Sequence, residues 1–140
     1  MLDSLPTWIA TSLTGDGILP SEADIREMGS RIGQQLPDEL RLLLITANQP
    51  EGFVGNSYVA FFDVEEIVGC WLQAKESVHD FVPFASNGSG EWYGLDYRSA
   101  SARFVLMPSI GIAWDAAIFI GATWDEFWES LQKGSLFGTE

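Results

Sequence analysis

Apart from carboxylates, the chain is poor in residues that could do chemistry. Its 140 residues include one histidine and one cysteine against 20 Asp and Glu. His79 lies in the polar run Lys75-Glu76-Ser77-Val78-His79-Asp80. Neighbours in sequence point apart, so His79 and Asp80 do not form a catalytic pair, and His79 reads as a surface-loop residue. Cys70 stands among Ile67, Val68 and Trp71. It is expected to be a buried small hydrophobe, with no histidine placed to activate it. One histidine and one cysteine cannot build a zinc centre, and the carboxylates do not follow the alternating spacing of a calcium loop. Glu65 and Glu66 are adjacent, so on a helix they splay by about 100°. Gly88-Ser89-Gly90 could cradle a phosphate only if it opened a helix. It leads instead into Glu91-Trp92-Tyr93, a strand-like run with no base nearby, and reads as a hairpin turn. No catalytic residue, metal ion or cofactor is therefore expected. Paired carboxylates for glycoside cleavage stay open, because their separation is a three-dimensional fact.

The acidity itself is informative. Seven basic residues leave a net charge of −13, beyond the magnitude of about 2–8 that suits a small soluble domain. From Glu51 to Asp96 there are eight carboxylates (Glu51, Asp63, Glu65, Glu66, Glu76, Asp80, Glu91 and Asp96) and one base, Lys75. Such a surface repels nucleic-acid phosphates and anionic membranes, so neither is expected as a partner. It attracts basic proteins, although the same acidity also serves solubility. The opening residues lack the basic start and apolar core of a signal peptide. No apolar run approaches the roughly 18 residues that span a bilayer. A lone cysteine forms no internal disulfide, and the expected location is the cytoplasm.

These residues must be positioned by a single domain, for which 46% hydrophobic residues supply a core. Residues 1–20, punctuated by Pro6, Gly15, Gly17 and Pro20, read as a lead-in packed along the domain of residues 21–140. Leu5, Trp8, Ile9 and Leu13 could form a short helical turn there. Ser21 and Asp24 form a capping-box pattern ahead of an Ile25, Met28, Ile32 stripe, with Gly33 as the stop. Pro37, in a first turn with Asp38 and Glu39, opens a second helix that buries Leu40, Leu43, Leu44 and Ala47. Residues 48–52 read as a turn and residues 54–62 as a strand or hairpin around Gly55-Asn56. Asp63 caps a short helix running to about Gln73, with Glu66 completing its box. Residues 81–85 read as a strand whose Pro83 argues for an edge or a bulge. Residues 92–95, 104–107 and 116–120 read as further strands. Thr123 and Glu126 cap a closing helix whose Trp124, Phe127, Trp128 and Leu131 form one stripe, ending at Gly134. Strands joined by tight turns favour antiparallel pairing. The fold class is thus α+β: a mostly antiparallel sheet with helices packed mainly on one face.

Of six tryptophans, Trp71, Trp124 and Trp128 fall in patterns expected to be buried. Trp8, Trp92 and Trp114 lie beside turns without periodic partners, where aromatics can anchor an interface.

Four pieces of the sequence, in order, resemble the SUKH superfamily, which includes the Smi/Knr-type regulators of fungal cell-wall synthesis and many bacterial immunity proteins. They are Leu36-Pro37-Asp38-Glu39-Leu40-Arg41 with Leu43-Leu44 and Ala47-Asn48 beyond, Phe62-Asp63-Val64-Glu65-Glu66-Ile67, the stretch from Phe81 through Asn87-Gly88-Ser89-Gly90-Glu91 to Tyr93-Gly94-Leu95-Asp96, and the closing helix with Phe127, Leu131 and Gly134. Asn48-Gln49-Pro50 departs from the family's usual Asn-Gly, and the first twenty residues match nothing in it. The resemblance implies an α+β fold and a non-enzymatic role, with bacterial members neutralising toxins, often nucleases, by covering them. The expected function is therefore an immunity protein that binds a basic toxin domain. The alternatives are a regulatory scaffold binding an endogenous protein and a small carboxylate-dependent hydrolase. Charge and turn position nominate Asp63, Glu65, Glu66, Asn87, Ser89, Glu91 and Trp92 for the partner-binding surface.

Overall fold

Side-chain caps fix where most of the helices begin. A computed structural model of the chain describes residues 19–47 and 49–134, so all but the last two residues of the expected lead-in lie outside the described residues. In α1 (Glu22–Ile32) Ser21 Oγ accepts from Asp24 N–H at 3.1 Å, and the Asp24 carboxylate accepts from Ser21 N–H at 2.9 Å. Ile25, Met28 and Ile32 are buried, and Gly33 ends the helix at φ +82°. Helix α2 (Asp38–Thr46) has Pro37 at its cap rather than in its first turn, and makes no side-chain cap bond there.

The chain then pairs into a hairpin of β1 (Glu51–Val54) and β2 (Ser57–Phe61). The strand starts earlier than its composition suggests: Glu51 and Gly52 pair with Ala60 and Val59. Phe61 N–H donates to the Pro50 carbonyl at 3.0 Å, carrying the ladder back to the proline. Pairing overrides weak β-propensity here. Gly55 turns the hairpin at φ +62°, and a Cβ there would lie 2.5 Å from the Gln132 carbonyl. Helix α3 (Val64–Ala74) repeats the capping box, with Asp63 and Glu66 as the reciprocal pair.

Strands β3 (Phe81–Ser86), β4 (Glu91–Asp96) and β5 (Arg103–Pro108) follow. Pro83 sits in a central strand, excluding the edge position, and the register shifts between Pro83 and Ala85 as a bulge. The strand expected over residues 116–120 begins at Ile118. Ala116 closes one turn of 3-10 helix, Trp114–Ala116, whose short i to i+3 bonds run from Ala116 and Ala117. Strand β6 (Ile118–Gly121) leads into α4 (Trp124–Lys133). Thr123 caps α4, but the Glu126 carboxylate accepts from Ala122 N–H at 2.8 Å and not from the cap residue, so the box is not reciprocal.

The six strands lie in the order β1-β2-β3-β4-β5-β6, every neighbour antiparallel. One face carries Val59, Phe61, Val82, Phe84, Tyr93, Leu95, Phe104 and Leu106 into the main core, where all four helices add side chains. The alternate residues Phe81, Val105 and Met107 form a second, smaller cluster on the other face, beneath Trp114 and Ile112. Phe127 is fully buried in the main core, with ring contacts to Phe84, Tyr93, Phe104, Trp124 and Trp128. Trp71 is half-buried at its margin rather than buried, with Lys75 Nζ 4.8 Å from its ring. Phe127→Ala should lower stability by about 3–5 kcal/mol, read as a fall in the urea midpoint with an unchanged slope.

Candidate functional site

The nominated residues fall into two groups, at the start of α3 and at the β3–β4 turn. The first is the start of α3. Asp63 Oδ1 accepts from Glu66 N–H at 2.8 Å, while Glu66 Oε1 accepts from Asp63 N–H at 3.0 Å and from Gln49 Nε2 at 2.6 Å. Asp63 and Glu66 are thus occupied in starting the helix. Glu65 is exposed, and it lines a groove of about 410 Å³ with Asp24, Glu27, Arg31, Leu19 and Val68. Glu66 instead lines a depression of about 340 Å³ with Gln49, Glu51 and Phe62. The two neighbouring glutamates therefore serve different surfaces, as the helical splay requires.

The second group is the β3–β4 turn. Asn87 Oδ1 accepts from the backbone N–H of Ser89 at 2.9 Å and of Glu91 at 3.2 Å, and its Nδ2 donates to the Glu91 carboxylate at 2.7 Å. These bonds, with left-handed Gly88 and Gly90, make a hairpin turn and not an anion cradle. Ser89 is exposed at the tip. Trp92 is half-buried, and its ring meets Phe62 edge-on at 6.5 Å. Phe62 directly precedes Asp63, so this contact joins the two groups.

Three residues of the β1–β2 hairpin carry no nomination from the sequence: Glu51, Phe53 and Tyr58. Phe53 is 64% exposed, and its ring meets Tyr58 edge-on at 5.2 Å. Tyr58 OH donates to the Glu51 carboxylate. Two residues flank a two-residue turn on each side, so the period of two could have placed Phe53 and Tyr58 on one face.

The remaining titratable groups are disposed otherwise. His79 is exposed. Cys70 is half-buried rather than buried, and its thiol is pushed up by desolvation and then by the charge of Glu66, the opposite of an activated nucleophile. Asp96 is the one buried carboxylate among the described residues. Among the described residues its ion-pair partners are both arginines. Arg98 holds it through Nε at 3.0 Å and Nη2 at 2.9 Å, and Arg103 Nη2 lies 3.5 Å away. The Arg98 guanidinium stacks 3.7 Å from the centre of the Trp114 ring, whose Nε1 donates to the His79 carbonyl at 3.1 Å. This assembly covers the sheet's second cluster. A larger groove of about 870 Å³, between α1 and α2, is lined by Ile25, Leu42 and Ile45 with charges of both signs, and includes none of the nominated residues.

Residues 19–130 match the SMI1 / KNR4 family (SUKH-1). The chain belongs to this family. No curated protein matches it. The SUKH-1 match spans α1 to most of α4 and so contains both groups. Among the described residues of this SUKH-1 domain no group of three or more His, Cys, Asp or Glu could hold a metal ion. None of their helices is long and apolar enough to cross a membrane.

Asp96 makes stability depend on pH. Burial alone would raise its pKa, but the hydrogen bonds and charge of Arg98, with Arg103, hold it below the ordinary 3.8. A depressed native pKa contributes stability that is full above the unfolded value and lost as pH falls through the native one. Asp96→Asn should therefore lower the urea midpoint at pH 7, and the gap to the parent should narrow below pH 3.8 as the parent's carboxylate protonates.

Proposed function

We propose that this chain is a non-enzymatic, cytoplasmic protein-binding domain of immunity type that covers a basic toxin domain. Membership of the SMI1 / KNR4 family carries the protein-binding part of this reading. Charge supplies the partner's sign. Among the described residues, ion pairs are confined to Arg41 with Asp38 and to the Asp96 cluster. Glu51, Glu65 and Glu66 are exposed without a paired base, and Glu91 is half-exposed at the β3–β4 turn. An uncompensated acidic surface speeds encounter with a basic partner and mimics the phosphates that a nuclease binds. Asp63, Glu65, Glu66, Asn87, Ser89, Glu91 and Trp92 are the proposed contact region, with Trp92 and Phe62 as its apolar centre. A hydrolytic reading based on paired carboxylates is disfavoured, since the buried acid Asp96 is paired with arginines.

The test is retention of a partner by the purified chain at low and moderate salt, identified by mass spectrometry. Recovery of one basic, toxin-like protein that raised salt releases supports the reading. Recovery of an ordinary cellular protein, insensitive to salt, favours a regulatory scaffold instead. Glu65 is the residue to reverse, because Asp63→Lys or Glu66→Lys would also unseat a cap at a cost of about 1 kcal/mol. With the partner in hand, Glu65→Lys together with Glu27→Lys should slow association about tenfold at low ionic strength and flatten its salt dependence, with little change in dissociation.

A further inference from the structure

Strand β1 is hydrogen-bonded to β2 on one side, and among the described residues no strand pairs with its other side. The pairing fixes which backbone groups that free edge presents. Phe61 N–H donates to the Pro50 carbonyl, and the register runs Glu51 to Ala60, Gly52 to Val59, Phe53 to Tyr58 and Val54 to Ser57. In an antiparallel pair, hydrogen-bonded and non-bonded positions alternate. Residues 50, 52 and 54 therefore face β2, and the N–H and C=O groups of Glu51 and Phe53 point outward. Their side chains share one face with Tyr58, and Gly52 between them adds no side chain on the other.

We propose that this edge takes up an extended segment of a basic partner protein as an added strand. A segment paired there would bond to the outward groups of Glu51 and Phe53, and would place every second side chain beside theirs. The position beside Glu51 suits a lysine or arginine, and the position beside Phe53 an apolar residue packing on the Phe53–Tyr58 pair. The favoured segment thus alternates basic and apolar residues along one face. This inference rests on the reading of the chain as a binder of basic protein and adds the surface and the form of the bound segment.

Charge decides between occupants. A second copy would bring another net charge of −13 to the same edge, which like-charge repulsion disfavours. Strand β6 has an exposed aromatic too, Phe119, but the Arg103 guanidinium already lies 5.0 Å from its ring. That edge presents a positive group and repels a basic segment. Between Arg41 and Arg98 the chain's only base is Lys75, so the β1 edge has no such competitor within β1 or β2.

The test uses the full chain, labelled with ¹⁵N, and a synthetic ten-residue peptide with arginine and valine alternating along one face and threonine along the other. Titration should shift the amides of Glu51 and Phe53 most and slow their hydrogen exchange. Phe53→Ser and Glu51→Lys, both at exposed positions, should each weaken binding about tenfold, equivalent to about 1.4 kcal/mol. N-methylation of alternate peptide nitrogens on the edge-facing side should weaken it at least as much. Shifts centred on Glu65 and Glu27 would overturn strand addition while leaving the basic-partner reading intact. Absence of binding by any basic peptide at low salt would overturn both. A peptide-free dimer protecting the same amides would assign the edge to a second copy and overturn the proposal.

Discussion

The aromatic stripe of α4 is the contact on which the rest of the architecture depends. Phe127 is enclosed by rings from β3, β4 and β5, and Trp124 and Trp128 flank it on the same helix. Because these rings occupy one face of the sheet, alternation sends Phe81, Trp92, Val105 and Met107 to the other. That face cannot be left entirely bare, and among the described residues Ile112 and Trp114 lie against its cluster. Gly94 makes the cover possible, since a Cβ there would collide with the Phe81 ring and the Val82 carbonyl. Phe81 can then lie flat across β4 and meet Trp114 edge-on at 5.8 Å.

Acidity divides by role once the contacts are known. Asp24, Asp63, Glu66 and Glu126 accept backbone N–H bonds at helix starts, where the dipole also favours negative charge. Asp96 is buried and neutralised by arginine. These five explain part of the acidic excess by folding alone. Glu27, Glu51, Glu65 and Glu76 are exposed and take no part in a cap. Holding such charges together costs stability through self-repulsion, and nothing in the core requires them.

The helices were legible because caps and a 3.6-residue period are local signals: Ser21, Asp63 and Thr123 each open a helix that ends within a residue or two of the expected place. Strand ends were less so, because they are set by partners distant in sequence. Glu51 and Gly52 join β1 through Val59 and Ala60, and Ala116 is lost to a 3-10 turn that lays Trp114 over Phe81. Pro83 is the instructive case. A bulge lets a central strand hold a proline, and local sequence could name the bulge without choosing between centre and edge. Of the contact region, the turn at Asn87 and the cap at Asp63 were readable as motifs. Their adjacency was not, for it rests on the Phe62–Trp92 contact between residues thirty apart.

The uneven cover of the sheet's second face follows from where the chain places its few bases. Arg98 and Arg103 both stand at the β4–β5 side, where they neutralise Asp96 and lie against Trp114 and Phe119. Cation–π stacking lets a charged side chain act as a lid over apolar rings without burying its charge unpaired. Strands β1 and β2 carry no lysine or arginine. Their ring pair, Phe53 and Tyr58, has Glu51 and Gly88 beside it, and Phe53 stays exposed. One end of the face therefore supplies its own cations, and strands β1 and β2 at the other end supply none.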